Sequence, residues 1–249
     1  MRYRLFFLVC LLSGSNGFSQ DATILHSYPA TTYLKSYVTD GCSLLAAPAH
    51  WDNKDLLLFM GVVTTTGIAM YYDEQIQRSM LGNDGIFGFS ALKLDNLGNG
   101  MYSIPLLAGI FASGKIGKNP YDCEVALLGL KVFVLNGIYT RGIKYTYQRH
   151  GPGDNMPPDA FWFEGPAHGI TGYNSFVSGH ASSAFALAAV LSKAYKPKHK
   201  WVPWIAYPLA SLVAFSRVYD NKHWASDAVA GAAFGYFSGL FLYRINIGK

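Results

Sequence analysis

Apolar residues are grouped along this chain into six stretches of about 12 to 18 residues, separated by polar or by glycine- and proline-containing segments. Continuous apolar runs of this length, without alternation of polar and apolar residues, predict helices rather than strands. The chain therefore predicts an all-α fold, a single-domain bundle of about six core helices. The stretches are Leu56–Tyr72, Leu97–Gly114, Val125–Thr140, Ala181–Ser192, Trp201–Phe215 and Ala228–Tyr243.

The segments outside these stretches divide the rest of the chain. Two arginines, the apolar run Leu5–Leu12 and then small and polar residues form the pattern of a signal peptide, so we expect residues 1–20 to be removed on export. Residues 21–54 predict an N-terminal arm over the main body, and residues 55–249 the domain itself. The loop 151–176 is long enough to be functional, and we expect a lid or a wall of a site there.

The apolar stretches are short for membrane-spanning helices, which need about 20 mostly apolar residues. The third stretch is also interrupted by Lys131. In the last stretch, however, Gly231, Gly235 and Gly239 form a small-residue ridge that permits close helix contact in lipid. The mean hydropathy of +0.16 is high for a soluble domain. We expect a periplasmic body that is embedded in a membrane or docked on its surface.

Charge and cysteine content narrow the classes of function. The net charge is +5, and no cluster of basic residues suggests a nucleic-acid partner. The weak positive charge is compatible with an anionic substrate or a membrane surface. No spacing of cysteine and histidine is typical of a zinc site, and we expect neither a metal nor a cofactor. Outside the signal peptide, Cys42 and Cys123 form either one disulfide or two free thiols.

The segment from Ser216 to Asp227 carries the strongest chemical signal. His223 and Asp227 are four residues apart, so on a helix they would share one face. An aspartate that accepts the Nδ1 proton of a histidine fixes its tautomer and leaves Nε2 nucleophilic. Arg217 offers the planar fork of donors that binds an oxyanion. This segment therefore predicts a nucleophile, its orienting carboxylate and an anion-binding cation.

The start of the fourth apolar stretch predicts a second part of the same site. Ser178 is a good helix N-cap, and Gly179 lets the backbone approach a ligand. The free N–H groups at a helix start attract anions. His180 stands there, placed to give a proton to a leaving group. The alternative is an ordinary N-cap with a surface histidine.

The end of the third apolar stretch carries further cations. Lys144 and Arg149 precede Gly151 and Pro152, which stop a helix. Both cations would add positive charge to one anion site. The alternative is the usual basic end of a helix.

Taken together and in this order, the three segments resemble the motifs of the type 2 phosphatidic acid phosphatase (PAP2) / vanadium haloperoxidase superfamily. Those motifs are K-x6-R-P, then P-S-G-H, then S-R-x5-H-x3-D, and the resemblance covers roughly residues 55–245. Val177 stands in place of the proline of the second motif, and Gly151 in place of the arginine of the first. The matched positions are Lys144, Pro152, Ser178, Gly179, His180, Ser216, Arg217, His223 and Asp227.

The resemblance implies an exported, metal-independent phosphatase that hydrolyses phosphate mono- or diphosphate esters of envelope lipids or small molecules. His223 would attack phosphorus and form a phosphohistidine, Asp227 would orient it, and His180 would protonate the leaving group. The phosphoryl oxygens would be held by Lys144, Arg149, Ser178, Gly179 and Arg217. Two alternatives stay open: a vanadate-dependent haloperoxidase, and a catalytically weak phosphate-binding relative.

Gly151 is the main departure from the family pattern. Residues seven apart share a helix face, so Lys144 and position 151 would point the same way. Arg149 would lie about 140° away around the axis. It can replace the missing arginine only if the helix unwinds near Gly151 and Pro152, which these two residues favour. We expect Arg149 to take over the contact, in which case Gly151→Arg would gain little.

Overall fold

The computed structural model describes residues 30–80, 93–154 and 174–247. The predicted signal peptide and most of the predicted lid lie outside these residues. Within them, the regular structure consists of α-helices and two short 3₁₀ turns, without a strand. The predicted all-α class is confirmed.

Each of the six apolar stretches lies in helical structure. The second is divided, because the chain turns between two helices at Gly100, which has a φ of 95°. The described residues form α1 (Ala30–Ala46), α2 (Asn53–Tyr71), α3 (Asp73–Met80), α4 (Asp95–Gly98), α5 (Ser103–Ile116), α6 (Pro120–Tyr147), α7 (Gly179–Tyr195), α8 (Val202–Tyr219) and α9 (Ala225–Asn246).

Two helices were not predicted. α1 forms within the segment that the sequence predicts as an arm, and its Tyr33, Tyr37 and Leu44 pack on a core shared by α6, α7 and α9. α3 continues α2 after a bend of 57°. Its sequence is polar, and its buried residues are Asp73 and Gln77. An apolar pattern cannot reveal a helix that is buried through polar groups.

α7 and α9 pack with backbone against backbone. A Cβ atom added at Gly231 would lie 2.4 Å from the carbonyl oxygen of Ser178, and one added at Gly235 would lie 1.9 Å from that of Ser182. Gly239 makes the same kind of contact one turn later. No side chain fits between the helices, so the glycine ridge sets their separation. Because both helices begin with motif residues, the ridge also sets the distance between the second and third motifs.

Two segments, Pro120–Asp154 and Ala225–Asn246, are long and apolar enough to cross a membrane, and α2 with α3 would make a bent third. The charge of Lys131 does not interrupt the first. Its side chain is fully buried, and Nζ donates to Asp40 Oδ2 at 2.6 Å and to Asn246 Oδ1 at 2.9 Å. A buried charge that is paired in this way is compatible with an apolar helix.

The two cysteines are free thiols. Cys42 is exposed on α1, and Cys123 is buried on α6. The Sγ atom of Cys123 lies 3.6 Å from the carbonyl oxygen of Phe111. Of the two alternatives for this pair, the free thiols are confirmed.

Candidate active site

The three motifs meet at one end of the helix bundle. α6 and α8 end there, while α7 and α9 begin there, because consecutive core helices run in opposite directions. The backbone N–H of Ser178 donates to the carbonyl oxygen of Asp227 at 3.0 Å. This bond joins the second motif directly to the third.

A tight turn after α8 brings the predicted nucleophile beside the predicted anion-binding cation. Asn221 adopts a φ of 55°, which reverses the chain. The backbone N–H of His223 then donates to the carbonyl oxygen of Arg217 at 3.1 Å. His223 therefore stands in the turn ahead of α9, and not on one helix face with Asp227 as the spacing had suggested.

The carboxylate of Asp227 is completely buried and held from several sides. Its Oδ2 accepts from the backbone N–H of Trp224 at 3.0 Å and from the hydroxyl of Ser175. His223 Nδ1 lies 3.7 Å from the same Oδ2. This distance is longer than a hydrogen bond, and the two groups must approach by roughly 0.5 Å to form one. Hydrogen bonds of catalytic groups commonly tighten in this way on binding substrate.

Burial, together with the positive charge of the site, lowers the pKa of both histidines. Burial lowers the pKa of His223, and the charges of Lys144 and Arg217 lower it further, against the opposing effect of Asp227. Burial first, then the charge of Arg217, lowers the pKa of His180 to about 4, and protonation of His223 would lower it further. The fixed cations can bind an anionic ligand, and a neutral imidazole beside them can exchange a proton with that ligand.

The start of α7 has the features of a helix N-terminal anion site. The Oγ atom of Ser178 caps the helix by accepting from the N–H of Ala181 at 3.4 Å. A Cβ at Gly179 would meet only Thr140 Oγ1, at 3.7 Å. His180 lies in the first turn. The N–H groups of this turn and the imidazole therefore lie at the same end of the bundle as Arg217 and His223.

Two of the three predicted cations, Lys144 and Arg217, each contact an oxygen of the protein. Lys144, in the last turn of α6, donates through Nζ to the carbonyl oxygen of Asn174. Arg217, in the last turn of α8, has Nη1 at 3.4 Å from Asp95 Oδ2. Asp95 begins α4, which the sequence analysis did not connect with the site.

The side chain of Arg149 lies against two carboxylates of the protein. The chain leaves the helix at Gln148, which has a φ of 46°. Beyond this turn Arg149 Nη1 lies 2.7 Å from Asp227 Oδ1, and Nη2 lies 2.9 Å from Asp73 Oδ2. The side chain is 1% exposed. The helix does unwind, and the guanidinium contacts two buried carboxylates. That Arg149 replaces the missing phosphate ligand stays a prediction.

Sequence reasoning missed four polar residues around the site: Asp73, Asp95, Ser175 and Ser226. None of them belongs to a spacing that suggests chemistry. Only Ser226 offered a local signal, since it adjoins Asp227. The others are distant in sequence and reach the site through the packing of α3 and α4 and through the segment before α7.

In the part of the chain that the structure describes, no three His, Cys, Asp or Glu side chains are grouped so that they could hold a metal ion. The sequence analysis expects a reaction without a metal. That expectation stays a prediction.

The fold and the site define a class of protein: an all-α bundle that holds a buried histidine–carboxylate pair and several cations at the meeting point of antiparallel helices. A model of the PAP2 superfamily matches residues 125–248, a range that contains all three motifs. The chain belongs to the PAP2 superfamily.

Two curated proteins of Porphyromonas gingivalis are similar to this chain. The first, a lipid A 1-phosphatase, is 40% identical over 157 residues, which are 62% of this chain and 31% of that protein. The second, a lipid A 4'-phosphatase, is 26% identical over 134 residues, which are 52% of this chain and 55% of that protein. The chain thus spans about a third and about half of the length of these relatives.

A solved structure shares the fold. It is the crystal structure of a transmembrane PAP2-type phosphatidylglycerolphosphate phosphatase from Bacillus subtilis, with a TM-score of 0.53. The alignment covers 86% of this chain and 92% of that chain at 23% sequence identity. At this level of identity the likeness concerns the fold alone.

The protein is associated with a membrane. In addition to the two long apolar segments, large apolar side chains are exposed along α2, α5 and α8. Leu57 on α2 is 73% exposed and Trp204 on α8 is 82% exposed. Apolar surface of this extent requires a partner, and lipid chains are the partner that the apolar helices indicate.

Proposed function

We propose that this chain is a phosphoric ester hydrolase that removes phosphate from phosphorylated lipids. The observation that carries the proposal is the buried pair of His223 and Asp227 next to Arg217 and Lys144. Membership of the PAP2 superfamily supports it, and the two relatives named as lipid A phosphatases suggest lipid A as the first substrate to test.

In the first half of the reaction, His223 Nε2 attacks phosphorus and a phosphohistidine forms. Asp227 orients the imidazole and balances the positive charge that it gains. The phosphoryl oxygens are held by Lys144, Arg217 and the N–H groups at the start of α7, which stabilise the charge of the transition state. The bond from phosphorus to the lipid oxygen breaks at the same time.

His180 supplies the proton for the departing lipid oxygen. Its low pKa in the free protein arises from burial and from neighbouring positive charge. A bound phosphate brings negative charge, which raises the pKa toward the range where the imidazole carries a proton. In the second half, His180 takes a proton from water, which cleaves the phosphohistidine and releases inorganic phosphate.

We further propose that the site faces the periplasm and that the long apolar segments span the membrane. The end of the bundle opposite the site is joined by a hydrogen bond from Tyr121 Oη to the carbonyl oxygen of Ala194, at 2.9 Å. Lysines concentrate in the two turns at that end, as expected for a cytoplasmic face. They are Lys115, Lys118, Lys193, Lys196, Lys198 and Lys200.

The test measures release of inorganic phosphate from lipid A, phosphatidylglycerophosphate and a chromogenic phosphate ester by the purified protein in detergent. His223→Ala is expected to reduce the rate by roughly 10³-fold or more, the scale for removing a nucleophile. The matched control is His199→Ala, an exposed histidine at the opposite end of the bundle. Undiminished phosphate release by His223→Ala would refute the proposal, and bromide oxidation with vanadate and peroxide would favour the haloperoxidase alternative.

A further inference from the structure

Arg149 joins two carboxylates that are far apart in the sequence. Its Nη1 contacts Asp227 Oδ1 at 2.7 Å, and its Nη2 contacts Asp73 Oδ2 at 2.9 Å. The side chains of the three residues are all 0% or 1% exposed. Removing charges from water is costly unless each is paired and hydrogen-bonded, so such an arrangement forms only where its geometry is well satisfied.

Ser226 completes the hydrogen bonding of this cluster. Its backbone N–H donates to Asp73 Oδ1 at 2.9 Å, and its hydroxyl donates to Asp73 Oδ2. Its Oγ also accepts from Arg149 Nη1 at 2.7 Å. α3, the turn after α6 and the first turn of α9 are thereby held together directly beside Asp227. We call Asp73, Arg149, Ser226 and Asp227 the carboxylate cluster.

The charges of the cluster bear on the nucleophile. Arg149 alone would neutralise Asp227 and leave no net negative charge to balance a positive imidazole. Asp73 supplies the second carboxylate. Burial raises its pKa, against the hydrogen bonds from Ser226 and Arg149, and with both carboxylates ionised the cluster as a whole carries one negative charge. Among the described residues, the cations Lys144 and Arg217 act on His223, and His180 also faces it. The carboxylate of Asp95 lies on the far side of Arg217, with which it is paired. The carboxylate cluster thus supplies the negative charge next to His223.

We propose that Asp73, acting through Arg149, is a positioning residue for the nucleophile. Arg149 holds Asp227 in place against His223, and Asp73 restores the negative charge that Arg149 would otherwise cancel. The proposal rests on the proposed function of His223 as nucleophile. It assigns to the reaction two residues that do not touch the phosphate.

Three variants separate this role from a structural one. Asp73→Asn keeps the shape but removes the charge, and it is expected to lower kcat roughly tenfold or more with little change in KM. This loss is smaller than the loss of rate expected for a group that acts directly on the developing charge of the transition state.

Asp73→Asn combined with Arg149→Met removes both added charges, so that Asp227 again carries one uncompensated negative charge. The double variant is expected to recover most of the lost kcat although it has fewer hydrogen bonds. Ser226→Ala, the matched control, removes bonds and keeps the charges.

The pH profile gives an independent reading. Asp73→Asn makes the surroundings of His223 more positive, so its imidazolium is less favoured and the acid limb of kcat/KM is expected to move to lower pH. Ser226→Ala is expected to lower the melting temperature in detergent without moving that limb. A structural role predicts the opposite order, with the double variant slower than Asp73→Asn and no movement of the limb.

Wild type and His223→Ala are measured in the same phosphate-release assay. If His223→Ala stays active, the proposed function fails, whatever the other variants do. If His223→Ala is inactive but Asp73→Asn has the kcat of wild type, the positioning role is overturned and the proposed function stands. If Asp73→Asn does not fold, the double variant decides: kcat within about tenfold of wild type supports the proposal. A larger loss, or failure of both to fold, assigns the cluster to stability alone and overturns it.

Discussion

Gly151→Arg is expected to raise the catalytic efficiency of this protein, contrary to the outcome favoured by the sequence. The backbone accepts a side chain at this position. An added Cβ would lie 3.5 Å from Asp154 Oδ2 and 3.7 Å from Ser175 Oγ, which are ordinary contact distances. Ser175 itself donates to Asp227, so the new side chain would start next to the nucleophile's carboxylate. Because Arg149 is bound to carboxylates, no guanidinium already fills the place of the family arginine.

The size of the gain follows from the position. Removing one group that stabilises the developing charge of a transition state commonly costs roughly 10²- to 10³-fold in rate. Gly151 is partly exposed, and Asp154 would compete for the new guanidinium. We therefore expect a smaller gain, about tenfold in kcat/KM, which corresponds to about 1.4 kcal/mol of transition-state stabilisation.

The assay is phosphate release from lipid A and from a chromogenic ester, with two companion variants. Gly151→Gln fills the position without a charge and is expected to give no gain. Gly151→Arg with Asp154→Asn frees the guanidinium from its competing carboxylate and is expected to give a larger gain than Gly151→Arg alone. If neither arginine variant exceeds wild type while both fold, position 151 does not face the phosphate and the reasoning is refuted.

Three further predictions follow from the packing and charge of the site. Gly235→Ala places a Cβ 1.9 Å from the carbonyl oxygen of Ser182, so it should push α7 away from α9. We expect a loss of roughly 1–3 kcal/mol in the free energy of unfolding and a lower rate of phosphate release. Thermal melts and rate measurements on the same preparation check both. Gly98→Ala places a Cβ 2.7 Å from that of His180 and should lower kcat, whereas Gly109→Ala, with open space around it, should leave kcat unchanged. The pKa of His180 is lowered to about 4 from an ordinary 6.5, so the unfolded chain binds the proton more tightly. His180 therefore makes the wild type lose stability as the pH falls from 6.5 toward 4. Over that range the melting temperature of His180→Gln should fall by less than that of the wild type. An equal fall in both proteins would contradict the lowered pKa.

The helices could be predicted because their cause is local. Long apolar runs without alternation indicate helices, and all six runs lie in helical structure. The glycine ridge of α9 was also readable, since three glycines at four-residue spacing allow a partner backbone to approach. The length of α6 was harder to predict, because the charged Lys131 interrupts its apolar stretch. Its charge is paired with Asp40 on α1, a helix that the apolar pattern did not reveal.

The residues of the site could be predicted from the sequence only where they lie close together within one segment of the chain. Ser216 to Asp227 is one short segment, and its turn could bring Arg217 and His223 together whatever the rest of the chain does. Asp73 accepts a hydrogen bond from Ser226, which lies 153 residues further along the chain. No periodicity or motif spans that distance, so this contact required the packing of α3 against α9.

The case of Arg149 shows why the direction of a side chain beyond the end of a helix could not be predicted from helical geometry. The angle between Lys144 and any later residue is defined only while the helix continues, and the helix ends at Tyr147. After Gln148 enters the left-handed region, the direction of each side chain depends on what the turn packs against. There Arg149 meets two buried carboxylates, which bind a guanidinium more strongly than a solvated anion site does. Position 151 lies two residues further on, where the one nearby carboxylate among the described residues is that of the exposed Asp154. Arg149 therefore contacts carboxylates. We expect an arginine at position 151 to face the phosphate instead, so that an arginine at one position does not substitute for the other.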